Sequence, residues 1–76
     1  MPHITLQSYP KGLSQAELKT FADELTVLAS ERLNTPAEYI TIDFQELDKQ
    51  AFKAEVWDKK IAPSRETLLR QPQYEL

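Results

Sequence analysis

The chain contains no cysteine, which excludes disulfides, thiolate nucleophiles, Cys-ligated zinc and iron–sulfur clusters together. Its single histidine leaves no multi-histidine metal centre within one subunit. One glycine, Gly12, cannot build a glycine-rich phosphate loop and is better read as a turn residue. No run approaches the roughly 18 apolar residues of a membrane span, and the N-terminus lacks the basic segment and apolar core of a secretory signal. The expectation is therefore a cytoplasmic protein without membrane attachment. Positive charge is also scarce: nine Lys and Arg face twelve Asp and Glu, a net charge of -3 that offers nucleic acid no general attraction. With 76 residues there is room for one domain, residues 1–76, or 2–76 once Met1 is removed. Its core is small, and with disulfides and metal set aside, subunit contacts remain the means of reinforcing it.

What is present is ordinary for a folded chain, with 41% hydrophobic and 28% charged residues. Residues 3–7 alternate, Ile4 and Leu6 on one face and His3, Thr5 and Gln7 on the other, which predicts a half-buried strand. Pro2 shares the parity of Ile4, at a first strand position where the missing donor is harmless. Pro10, Lys11 and Gly12 form a turn. A helix follows over residues 15–33: Ser14 and Glu17 have capping-box spacing, and Leu18, Phe21, Ala22, Leu25, Leu28, Ala29 and Leu33 make one apolar stripe. Val27 lies opposite that stripe, as an incidental exposed residue or a subunit contact. Asn34, Thr35 and Pro36 end the helix.

Residues 39–45 alternate again, with Ile40, Ile42 and Phe44 opposite Tyr39, Thr41, Asp43 and Gln45. A strand, a long helix and a strand predict an α/β fold of β-α-β type with a parallel strand pair. Residues 46–53 read as a turn or short helical segment. A C-terminal helix is expected over residues 56–70, supported by Trp57, Ile61, Leu68 and Leu69 and broken or kinked at Pro63, with a tail after it. Two strands alone leave long edges, so a homodimer or larger symmetric assembly is expected.

The residues that could carry chemistry are few. His3 sits on the polar strand face, exposed or lining a pocket. Asp43, Glu46 and Asp48 are close in sequence and read as strand-end and turn solvation. Lys49, Lys53, Lys59 and Lys60, balanced by Glu55 and Asp58, read as a solvated surface. Trp57 is either packing or a pocket or interface wall. Met1-Pro2 is the sharper feature. A small second residue favours removal of the initiator methionine, leaving Pro2 as a secondary amine on a rigid ring. An α-amino group titrates at roughly pH 8, so near neutrality such an amine can accept a proton, as a general base must. Lys11 can supply positive charge for an anionic substrate.

These features together, MPHITL, YPKGLSQAELKTFADEL, LNTP, YITIDFQEL and VWDKKIAPSRETLLRQPQY, span nearly the whole chain. The pattern resembles the 4-oxalocrotonate tautomerase-like family, in particular its dimeric branch active on phenylpyruvate-type enols. The resemblance implies the small β-α-β tautomerase fold, no metal or organic cofactor, and Pro2 as the amine that shuttles a proton between enol and keto forms. Where the family places a carboxylate-binding arginine after the first strand, this chain has Lys11, which keeps the charge without the bidentate fork. The second arginine of hexameric relatives aligns with Thr41. A small 2-oxo acid with one carboxylate and an aryl or apolar group fits that substitution. Phe52 corresponds to a pocket-wall aromatic, Trp57 would help surround the apolar end, and Tyr39 or His3 would contact the enol oxygen. A homodimer is implied, with a homohexamer as the alternative. The other functions compatible with this pattern are a dehalogenase or hydratase of small unsaturated acids and a non-catalytic homo-oligomeric binding module.

Overall fold

A computed structural model describes residues 1–76. In chain order it has β1 (His3–Ser8), α1 (Gln15–Arg32), a 3-10 turn (Ala37–Tyr39), β2 (Thr41–Glu46), α2 (Lys49–Phe52), a π-helix (Lys53–Ile61) and a 3-10 segment (Ala62–Thr67). β1 and β2 form one two-stranded sheet. The Thr41 amide donates to the Pro2 carbonyl at 3.2 Å, and the Leu47 amide donates to Ser8 at 2.8 Å. Both partners advance along the chain together, so the pair is parallel and the fold is the expected β-α-β type. No helix is long and apolar enough to cross a membrane. The chain divides into two compact units, Met1–Leu6 with Lys11–Gln45, and Gln7–Pro10 with Glu46–Leu76.

In the first unit, α1 starts where the capping box places it. The Ser14 hydroxyl accepts from the Glu17 amide at 3.1 Å, and the Glu17 carboxylate accepts from the Ser14 amide at 2.9 Å. Its end is set by more than Pro36. Asn34 takes a left-handed conformation, φ 50°, and the Asn34 and Thr35 amides fold back onto the Glu31 and Ser30 carbonyls, a Schellman closure that asparagine tolerates. Gly12, at φ 68°, is the residue that lets the preceding turn form. Along the apolar stripe, Leu18, Ala22, Leu25 and Ala29 are half-buried. Phe21, Leu28 and Leu33 are exposed, as is Val27 on the other side. No residue of α1 is fully buried.

The start of β2 differs from the alternation reading. Tyr39 belongs to the 3-10 turn, because Pro36 starts a tight turn in which the Tyr39 amide donates to Pro36 and the Ile40 amide to Ala37. The strand begins only at Thr41.

The second unit departs further from expectation. The short helical segment expected within residues 46–53 is α2, which Asp48 caps by accepting from the Ala51 amide at 2.8 Å, but it runs on into the π-helix, so no separate helix begins near Val56. From Lys53 the turns widen, and the Ala62 amide reaches back five residues to the Trp57 carbonyl. Pro63 then prevents regular continuation, and residues 62–67 close as a 3-10 segment with Ser64 off helical geometry, φ -113° and ψ 18°. The expected helix over 56–70 is therefore shifted and shortened, and Leu69, counted as part of its apolar face, is fully exposed. Val56 and Trp57 are the only buried residues of the chain. Tyr9 meets Phe52 edge to face with ring centroids 5.0 Å apart. Surface ion pairs Lys53–Asp58 and Lys59–Glu55 confirm the solvated charge pattern of this segment.

Candidate active site

Pro2 stands immediately before β1, half-buried, and its carbonyl accepts the Thr41 amide proton. Proline lacks a donor, so this first sheet position uses only what the residue can offer. Met1 ahead of it is 98% exposed. Next along the strand, His3 Nδ1 lies 2.6 Å from the Thr41 hydroxyl. Thr41 thus contacts both Pro2 and His3, through its backbone and its side chain respectively. Both His3 and Thr41 are exposed, so the ring face not engaged by Thr41 is open.

Lys11 lies in the exposed turn ahead of α1, in the same unit as Pro2 and His3. Tyr39, also in this unit, projects from the 3-10 turn and is 46% exposed. Phe52 and Trp57 belong to the second unit. Phe52 is half-buried against Tyr9. Trp57 is 4% exposed, with the Tyr74 ring centroid 5.3 Å away and the Arg65 guanidinium 5.5 Å over its face. Arg65 also binds Glu75 at 2.6 Å. That hydrogen bond holds the guanidinium above its ordinary range and the Glu75 carboxyl below its own.

The carboxylates near β2 do structural work. Asp43 accepts from the Gln45 side-chain Nε2 at 2.7 Å, and Asp48 caps α2. No three His, Asp or Glu side chains are grouped as a metal-ligand set. Two participants escaped the sequence reading. The sequence places Thr41 on the polar strand face and at the position that lacks arginine; its pairing with His3 follows from strand register, which alternation alone does not set. Arg65 had no signal, because eight residues separate it from Trp57 across a change of helix type.

Chemically, the first unit gathers a proline at the head of a strand, an imidazole beside it and a hydroxyl bonded to that imidazole, with a lysine in the same unit. Freed of Met1, Pro2 would be a secondary amine able to take and return a proton. Over its whole length the chain is similar to proteins named Tautomerase PptA. It is 38% identical to that of Cronobacter sakazakii over 76 residues, covering 100% of both chains. It is 32% identical to one from Escherichia coli over 76 residues, again 100% of both. With that of Pectobacterium carotovorum it shares 31% identity over 74 residues, 97% of each chain. No protein-family model matches the chain.

Proposed function

The chain belongs to the 4-oxalocrotonate tautomerase-like family and is a tautomerase, and from that premise we propose that it interconverts the enol and keto forms of a small 2-oxo acid with the N-terminal amine of Pro2 as general base. The substrate class is a monocarboxylate carrying an aryl or apolar group, for which phenylenolpyruvate is the test compound. Removal of Met1 comes first. While Met1 is attached, the Pro2 nitrogen is an amide without a basic lone pair; the exposure of Met1 leaves it accessible to an aminopeptidase and unneeded for packing.

In the reaction the Pro2 amine takes the proton from the enol hydroxyl, leaving an enolate whose carbon–oxygen double bond forms only as the adjacent carbon is protonated. The protonated amine then delivers a proton to the adjacent carbon, which completes the keto form and restores the base. Lys11 holds the substrate carboxylate by charge, and a donor from His3 or Tyr39 stabilises the developing oxyanion. The chemistry needs no cofactor, since one poised proton carrier and charge stabilisation suffice. The observation that carries this reading is the placement of Pro2: it heads β1, its carbonyl is held by the Thr41 amide, and the whole chain is like named tautomerases.

The test couples the mass of the native chain to a tautomerisation assay. The expected result is a mass lacking Met1, turnover of phenylenolpyruvate, and loss of that turnover in Pro2→Ala. Retention of Met1 in essentially all active molecules, or full activity of Pro2→Ala, would remove Pro2 as the base. The protein is further proposed to act as a homodimer.

A further inference from the structure

The His3–Thr41 contact carries an inference that rests on the tautomerase reading and goes beyond it. We propose that Thr41 is a positioning residue that donates its hydroxyl proton to His3 Nδ1, fixing the imidazole as the Nε2–H tautomer, so that His3 rather than Tyr39 offers a donor to the substrate oxygen beside Pro2.

Four observations support it. The Thr41 hydroxyl and His3 Nδ1 lie 2.6 Å apart, within hydrogen-bond distance, and a hydroxyl, which carries its own rotatable proton, can serve as the donor to a bare ring nitrogen. The same residue supplies the amide that holds the Pro2 carbonyl, so the backbone of Thr41 fixes the peptide that joins Pro2 to His3 while its side chain meets the His3 ring. With Nδ1 occupied by a donor, a neutral imidazole must carry its proton on Nε2, and that edge is free to face a ligand. Tyr39, by contrast, sits on a short turn, half exposed, and no contact fixes its ring. A hydrogen-bond donor aimed at the oxygen that becomes negative in the transition state raises kcat more than it lowers KM.

The experiment uses Thr41→Val, which keeps the branched shape that suits a strand, and Thr41→Ser, which keeps the hydroxyl. Kinetics with phenylenolpyruvate are combined with imidazole nitrogen chemical shifts, recorded at about pH 8 where a typical ring is neutral. In the native protein the shifts should report protonated Nε2 and bare Nδ1; in Thr41→Val they should move towards a tautomer mixture and in Thr41→Ser return. Thr41→Val should lower kcat by about threefold to tenfold, the worth of one ordinary hydrogen bond, with KM little changed. In a His3→Ala background, Thr41→Val should have almost no further effect, because the hydroxyl acts through the ring.

A native ring protonated on Nδ1, an unchanged kcat in Thr41→Val, or an equal fall in the presence and absence of His3 would each overturn the proposal. Failure of the underlying reading is seen separately: Pro2→Ala with undiminished turnover would remove the base but leave the nitrogen shifts to decide the Thr41–His3 arrangement independently.

Discussion

Replacing Trp57 with alanine should bring the fold close to its stability limit. The side chain is 4% exposed and shares the interior of its unit only with Val56. Burial of an aromatic side chain withdraws roughly 150–250 Å² from water, worth about 4–6 kcal/mol at ~25 cal/mol per Å². Mutational series put such truncations at about 3–5 kcal/mol once partial relaxation is included. The tilted contact with Tyr74 at 5.3 Å is lost as well. A chain of 76 residues has about 4–11 kcal/mol of total stability at the usual ~0.05–0.15 per residue. A loss of about 3–5 kcal/mol is therefore from roughly a quarter of that total to all of it.

Urea unfolding followed by backbone circular dichroism is the suitable assay, because Trp57 is the only tryptophan and its replacement removes the fluorescence signal. Leu69→Ala is the matched control: an apolar residue of the same half, fully exposed, whose truncation should change stability by less than about 0.5 kcal/mol. Trp57→Phe should fall between the two and remain folded, which keeps the comparison readable if the alanine variant does not. A loss below about 1 kcal/mol in Trp57→Ala, or a larger loss in Leu69→Ala, would refute this account of the core.

The other expectations concern the helix cap, acid stability, the substrate anchor and assembly. Ser14→Ala should destabilise the fold by about 1 kcal/mol through loss of the α1 cap, measured by the same unfolding curves. The Ser14 backbone amide, and secondarily its hydroxyl, hold the Glu17 carboxyl below its ordinary range. Its contribution is thus full above the unfolded carboxylate pKa and lost as pH falls through the lower folded value, and Glu17→Gln should flatten that acid limb. Lys11→Ala should reduce kcat/KM for phenylenolpyruvate by about tenfold to a hundredfold while Lys11→Arg retains it; an unchanged preference for the acid over a neutral ester would exclude Lys11 as the carboxylate anchor. For a homodimer, a hundredfold dilution should lower apparent stability by about 2.7 kcal/mol, and a midpoint independent of concentration would rule the dimer out.

The first half of the fold was legible because its signals are local. Ser14 and Glu17 bond to each other across three residues, and the alternation of Ile4 and Leu6 needs only one strand. Tyr39 was misplaced because period-two alternation continues without a break through Tyr39 and Ile40, whereas Pro36 imposes a tight turn first. The second half misled for a different reason. Phe52 and Trp57 stand five residues apart, wider than one face of an α-helix gives, and the i-to-i+5 turns of the π-helix accommodate that step. Read with an α-helical template, the phase slips and Leu69 is assigned to the interior.

The site divides along the same line. Pro2 and Lys11 are visible as residues because their chemistry is intrinsic: an amine that processing can free, and a cation in a turn. The bond between His3 and Thr41 is not visible, since 38 residues separate them and a helical crossover, unlike a hairpin turn, does not set the register of the strands it joins. Once the register is known, the arrangement around Pro2 has a simple logic. The head of a strand is one of the few sheet positions where a residue without an amide proton loses no hydrogen bond. There the carbonyl can still be held, as the Thr41 amide holds that of Pro2. A proline at that position satisfies the sheet through its carbonyl, so the residue that the backbone tolerates there is also the one proposed as the proton carrier once Met1 is removed.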